Sequence, residues 1–290
     1  MKFFEAIQKY EAWKSFSIKT KTLSKHHYSL RMFCLFLKNP QIEEIGLDDV
    51  LSYLGLMREL GWDQNSFIQK VTAIKKCFKF FKDQGYKVLN YELIPVISYE
   101  HKLAKVMDEE THNKLLASLK TNYPDDLRNR LILMMLWDTG ARNGEVCSLN
   151  IEDLNLVEKK AVIRTEKNKG TRPFREVMWT EKTNEVLKRW LKDKEPTGPL
   201  FISLAYNHNG GRLTSHTLST IVRRICDKAG IPRINPHSYR HHMAHDVLNK
   251  GFSVIHVAKV LGHSNPKSSF SYLHINDKEL RETYRKVKGD

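Results

Sequence analysis

Several patterns are scarce in this 290-residue sequence, and each absence narrows what the chain can be. It holds only four cysteines, Cys34, Cys77, Cys147 and Cys226. They stand too far apart for a CxxC zinc site, and their apolar or helical surroundings do not make a disulfide framework. They read as small buried hydrophobes in a reducing compartment. No uncharged run reaches the roughly 18 residues that a membrane span needs, and the opening MKFFEAIQKYEAWKSF carries charge throughout, unlike a signal peptide. A cytoplasmic location with no membrane partner is therefore expected. Internal repeats and low-complexity segments are also missing, which argues against solenoids and disordered arrays. Acidic residues are in deficit: 33 Asp and Glu face 48 Lys and Arg, a formal net charge of +15. Such an excess calls for a polyanion, with nucleic acid ahead of an anionic membrane surface.

What is present is mostly helical patterning. With 41% hydrophobic residues the chain can bury a substantial core, and its length favours two domains. Leu23, His27, Leu30, Cys34 and Leu37 step by three and four, as do Phe67, Val71, Ile74, Phe78 and Phe81, so each segment predicts a helix with one apolar stripe. Between them GLDDVLSYLGLMRELG predicts a shorter helix, acidic in its first turn and ended by Gly61. Lys75, Lys79 and Lys82 share the face away from the second stripe and could lie along a phosphate backbone. The YELIPVISYEHKLAK stretch loses periodicity and reads as a linker over residues 91–107. A new helix is expected from Asp108, and another ends at Gly140. KKAVIRTEK and TRPFREVMW predict two strands joined by a turn at 168–171. From about Thr214 onward the pattern is helical again.

Nine of the thirteen histidines fall between His208 and His274. His237, His241 and His245 are spaced by four and could share a metal, but no HExxH glutamate accompanies them and the fixed cation of Arg240 would repel a divalent ion. Arg240 is better read as an anion ligand, because its guanidinium keeps its charge and forks onto two phosphate oxygens. His237, one turn earlier, adds a group that titrates near neutrality. In TGARNGEV, Arg142 stands at the mouth of a helix, where backbone N–H groups also favour anions. Lys167 comes just before a tight turn, and Lys169 could reach the same place. His263 lies in LGHSNP, and Tyr272 follows nine positions later with Ser269 and Ser271 before it, outside any continuous apolar stripe.

The ordered set TGARNGEVCSL, a hairpin lysine, HSYRHHMAHDVLNKG and LGHSNPKSSFSYLH resembles the tyrosine recombinase, or phage integrase, family, in particular its Xer-type site-specific recombinases. The match covers about residues 105–285, and the first 90 residues are similar to the family by shape and length alone. The resemblance implies a mainly α fold: a helical, SAM-like core-binding domain at 1–90, the linker at 91–107, and a mainly helical catalytic domain with a small antiparallel β-sheet at 108–290. It implies that Tyr272 attacks a DNA phosphodiester to give a 3′-phosphotyrosyl link, so that no nucleotide or metal cofactor is needed. Arg142 and Arg240 would clamp the nonbridging oxygens, Lys167 would protonate the leaving 5′ oxygen, and His237 and His263 would assist proton transfer. The expected partner is double-stranded DNA carrying specific sites, with a homo- or hetero-tetramer assembled on it, a Holliday-junction intermediate and no small-molecule substrate. The final NDKELRETYRKVKGD predicts a short amphipathic helix that could complete its own domain or, the favoured reading, dock on a neighbouring subunit. Tyr239 stands where the family commonly has Leu, and could pack or touch DNA. His241 fits the family pattern with no clear task, and His242 and His245 are extra to it. A type IB topoisomerase or a telomere-resolving enzyme would use nearly the same residues, and a non-catalytic DNA-binding protein would need only the basic surface.

Overall fold

A computed structural model describes residues 1–96, 107–165, 174–204, 210–263 and 269. Residues 97–106 of the expected linker, the 168–171 turn, Lys167, Lys169, Tyr272 and the C-terminal helix at 276–290 lie outside the described residues. The chain divides into two compact units, Met1–Lys102 and Leu103–Asp290.

In the first unit four helices surround one core: α1 (Phe3–Ser15), α2 (Thr20–Phe36), α3 (Leu47–Glu59) and α4 (Gln64–Asp83). The Asp63 carboxylate caps α4 by accepting the Asn65 and Ser66 N–H groups, which have no carbonyl partner in the first turn. Aromatic rings fill the interior, with Phe3 edge-on to Phe33 at 5.7 Å and Phe33 against Tyr53 at 5.0 Å. On α4, Val71, Ile74, Phe78 and Phe81 are buried as their spacing predicts. On α2 the stripe is rotated: His26, Ser29, Leu30, Phe33 and Cys34 are buried, while Leu23, His27 and Leu37 are half-buried. The rotation is possible because the Tyr10 hydroxyl meets His26 Nδ1 at 2.9 Å, so the imidazole enters the core with a partner.

The row of lysines on α4 is directed at the segment that follows it. Lys75 Nζ donates to the Ile94 carbonyl at 2.7 Å, Lys82 Nζ donates to Asn90 Oδ1 at 2.9 Å, and Lys79 and Lys82 each sit 5.5 Å from the Tyr91 ring centre. Ile94, at 1% exposure, belongs to this core, and the half-buried Tyr91 packs against it. Lys70, which the hydrophobic pattern does not anticipate, is buried between the rings of Trp62 and Tyr28 at 4.6 and 4.8 Å.

The second unit contains α5 (Glu109–Ala117), α6 (Pro124–Thr139), α7 (Asn143–Ser148), α8 (Glu181–Leu191), α9 (Ser215–Lys228), α10 (His237–Asn249) and α11 (Val254–Leu261). Asp108 caps α5 as expected, accepting from the Thr111 N–H at 2.7 Å. Helix α6 buries Leu131 through Leu136 in succession and packs against α8 and α10, which makes it the central element of the unit. An antiparallel sheet in the order β1 (Leu154–Asn155), β2 (Lys160–Arg164), β3 (Phe174–Met178) lies beside it, with Ala161 opposite Val177 and Arg164 opposite Phe174. The sequence predicts β2 and β3. The two-residue β1 is too short to carry an alternating pattern of its own. Among the described residues no helix is long and apolar enough to cross a membrane.

Tyr239 is fully buried, its ring edge-on to His112 and its hydroxyl 3.4 Å from His112 Nδ1, so this departure from the family's usual Leu serves packing. His112 and His242 each stack on the Trp137 ring, at 4.3 and 3.8 Å between ring centres. Burial, helped by His242 and Arg130, pushes the His112 pKa from 6.5 down to about 4. Between those values the unfolded chain binds a proton that the folded one refuses, so stability falls as pH drops. The loss from this residue on going from pH 7 to pH 5 is about 2 kcal/mol. Urea unfolding of His112→Phe should therefore show a shallower decline on acidification than the unsubstituted protein, and parallel declines would refute this origin.

Candidate active site

The site is assembled where four helix ends in the second unit meet one strand. Helix α6 ends in Gly140, whose φ of +56° is left-handed, and a Cβ there would lie 2.9 Å from both Met243 and Leu261 side-chain carbons. Glycine is required on both counts. This ending turns the Gly140 carbonyl toward Arg240, whose Nη1 donates to it at 3.0 Å.

Two residues later Arg142 occupies the N-cap of α7. Three positions on, Glu145 folds back: Oε2 accepts the Arg142 N–H at 2.9 Å and Oε1 accepts Arg142 Nη1 at 2.7 Å. The same carboxylate receives Arg175 Nη2 from β3 at 3.0 Å. Glu145 is 0% exposed. Burial alone would push its carboxyl up, but Arg175, the Arg142 N–H and the Arg142 guanidinium outweigh it and hold the group below the usual carboxylate range.

Arg240, on α10, is 1% exposed and uses its second terminal nitrogen to bond the Leu261 carbonyl at 2.6 Å. Arg175 Nη1 bonds the adjacent Val260 carbonyl, also at 2.6 Å. The last carbonyls of α11, which have no partner within the helix, are thus taken up by two guanidiniums. Helix α11 ends in Gly262 with φ +64°, and the next N–H, of His263, closes on the Ala258 carbonyl at 2.8 Å. His263 Nδ1 then lies 2.6 Å from Ser269 Oγ. Burial first, then the charges of Arg240, Arg142, Arg175 and His237, push the His263 pKa down to about 4. His237 opens α10 from an exposed position, its ring 5.1 Å from that of His241.

Of the residues singled out in the sequence, Arg142, His237, Arg240 and His263 are brought to one place. Lys167 and Tyr272 fall outside the described residues, while Lys75, Lys79 and Lys82 belong to the first unit. Among the described residues no group of three His, Cys, Asp or Glu side chains converges as a metal site. Two contributors escape the motif reading. Glu145 has a signal in retrospect, because an acid three residues after an N-cap position fits a capping box. Arg175 has a weaker one: it shares a strand face with the buried Val177, two residues away, where an arginine needs a partner. Three guanidiniums against one carboxylate leave a net positive cluster beside a neutral imidazole, an arrangement suited to a phosphodiester.

Residues 105–279 match the phage integrase family. The chain belongs to that family. Among curated relatives of this integrase-family protein, the tyrosine recombinase XerC of Bacillus subtilis (strain 168) is 27% identical over 277 residues, covering 91% of this chain and 88% of the relative. The tyrosine recombinase XerA of Pyrococcus horikoshii is 27% identical over 296 residues, covering 99% and 97%. The fold matches that of the Tn1549 transposon integrase solved with a circular intermediate DNA, with a TM-score of 0.83 over 99% of each chain at 16% identity.

The glycine at the end of α6 offers a direct check of the site's packing. Gly140→Ala should cost about 2 kcal/mol more than Gly230→Ala, because both force a side chain into positive φ but only the first also drives it into neighbours. Denaturant midpoints of the two variants decide this, and equal losses would refute the packing account.

Proposed function

We propose that this protein is a site-specific tyrosine recombinase that breaks and rejoins DNA strands through a 3′-phosphotyrosyl intermediate, with Tyr272 as nucleophile. The observation that carries the reading is the convergence of Arg142 and Arg240 on His263, with Arg142 held by the buried Glu145, inside the stretch that matches the phage integrase family. The curated relatives are named tyrosine recombinases, and the structural neighbour was solved on DNA.

In this reading the scissile phosphate enters the cationic recess. Arg142, a fifth of whose side chain is exposed, and Arg240 behind it stabilise the nonbridging oxygens as charge builds on the pentacoordinate phosphorus. The Tyr272 oxygen bonds to phosphorus, the bond to the 5′ oxygen breaks, and Lys167 supplies the proton that the departing oxygen takes up. The phenol proton passes to an imidazole. His263, held neutral by burial and neighbouring cations, is in the state to accept it, with His237 at the recess edge. Attack of a second strand's 5′ hydroxyl on the phosphotyrosine reverses the steps and restores the tyrosine. Energy stays in the phosphotyrosyl ester, so no step calls on a nucleotide, and none is routed through a metal.

Residues 108–290 are read as the catalytic domain and 1–90 as the core-binding domain, joined through 91–107. Together they would hold a duplex with recombination sites, four protomers acting through a Holliday junction, homo- or heteromeric. The excess of positive charge supports a DNA partner. Of the three lysines on α4, Lys79 and Lys82 are exposed and could reach phosphates, whereas Lys75 is half-buried and hydrogen-bonded within its own unit.

A pool of nicked duplexes of randomised sequence, from which the cleaved fragment diffuses away, tests the reading. A protease-sensitive covalent DNA adduct should accumulate in the presence of EDTA and vanish in Tyr272→Phe. An adduct that persists in Tyr272→Phe, or that EDTA abolishes, would overturn it. Strand exchange between two trapped sites distinguishes a recombinase from a type IB topoisomerase or a telomere-resolving enzyme, and binding without any adduct would indicate a non-catalytic DNA-binding protein.

A further inference from the structure

Arg175 stands outside the set of groups assigned to the reaction, yet three segments of the second unit meet on it. From β3 its Nη2 reaches the Glu145 carboxylate on α7 at 3.0 Å, and its Nη1 reaches the Val260 carbonyl at the end of α11 at 2.6 Å. Its aliphatic stem lies against Gly262, where an added Cβ would collide with Cδ. The side chain is 8% exposed, and Nε has no hydrogen-bond partner among the described residues. We propose that Arg175 is a positioning residue for strand cleavage, fixing the Arg142 guanidinium through the carboxylate that the two arginines share; this assignment rests on the recombinase reading above.

The argument turns on what Glu145 can hold. Oε1 takes Arg142 Nη1, while Oε2 takes both the Arg142 N–H and Arg175 Nη2. With both guanidiniums present the carboxylate is ionised and pinned from two sides, and Arg142 is pinned with it. Remove Arg175, and burial then works against an anion that has lost one of its two cations. The carboxylate turns or takes up a proton, and the Arg142 side chain gains rotamers in place of one geometry. Transition-state stabilisation by a preorganised cation is lost by such freedom even when the cation itself remains. Lysine cannot replace Arg175, because one ammonium at the end of a flexible stem does not span a carboxylate and a helix carbonyl together. The Val260 contact ties the end of α11 to the same side chain, so the turn that carries His263 is registered against Arg142 by one residue.

The test is single-turnover adduct formation by the full-length protein on a nicked site taken from the trapping experiment, run on the natural phosphate and on a methylphosphonate at the scissile position. The methyl group removes the negative charge that Arg142 neutralises, so a defect acting through Arg142 shrinks on that substrate, whereas general structural damage persists. Arg175→Ala should lower the adduct rate by about 30-fold or more on phosphate, keep DNA affinity within about threefold, and lose less than about fivefold on methylphosphonate. Arg175→Lys, which keeps a cation beside Glu145 and so protects the fold, should lose about tenfold on phosphate with the same relief on methylphosphonate. Cleavage by both variants within about twofold of the unsubstituted protein, or an equal loss on the two substrates, overturns the proposal. If the unsubstituted protein forms no adduct, the recombinase reading falls and this assignment falls with it.

Discussion

A recess that is to receive a phosphodiester must hold several cations close together before the phosphate arrives, and those cations repel. Two unit charges 4 Å apart at an effective dielectric near 20 cost about 4 kcal/mol. The buried Glu145 carboxylate answers that constraint. It sits between Arg142 and Arg175, with one oxygen on each guanidinium, and neutralises part of the repulsion. The remaining relief comes from backbone. Arg240 draws on the Gly140 and Leu261 carbonyls and Arg175 on that of Val260, so the negative ends of α6 and α11 are both directed at guanidiniums.

This arrangement explains why two helices end in left-handed glycines at the same place. A helix terminated by Gly140 or Gly262 turns away within one residue, leaves its last carbonyls available to a side chain, and permits an approach that a Cβ would block. Arg142 follows the first glycine by two residues and His263 follows the second by one. The chemistry-bearing side chains are thereby attached to rigid helix ends and not to loop middles, which limits the reorganisation left for the reaction itself.

How much of this is legible in the sequence differs by kind. Arg142, His237, Arg240 and His263 are readable because short motifs place them at turns and helix starts, where polar residues without an apolar neighbour require a reason. The helices are readable from apolar spacing, yet on α2 the stripe is off by one position, because spacing cannot report that Tyr10 gives His26 a hydrogen bond in the core. Lys70 is hidden for a related reason: a lysine counts as exposed until two rings from other segments enclose it. The α4 lysines form the expected row, but partners at Asn90, Tyr91 and Ile94 depend on how the chain returns after the helix. Glu145 and Arg175 join through tertiary contact across 30 residues, and neither the capping-box spacing of the one nor the strand position of the other reports that contact.

The same charge pattern bears on the direction in which a proton can move. In the free protein His263 is surrounded by Arg142, Arg175, Arg240 and His237 within a partly buried setting, and a proton there would add one more cation to an assembly that holds a single internal carboxylate. The imidazole is therefore neutral at physiological pH and able to accept. A bound phosphodiester brings the negative charge that the cluster lacks and makes protonation of His263 less costly. In the proposed mechanism, substrate entry would thus prepare the site to take up the proton that a phenol must lose on attacking phosphorus, so the electrostatics that bind the phosphate and those that steer the proton would arise from one set of side chains.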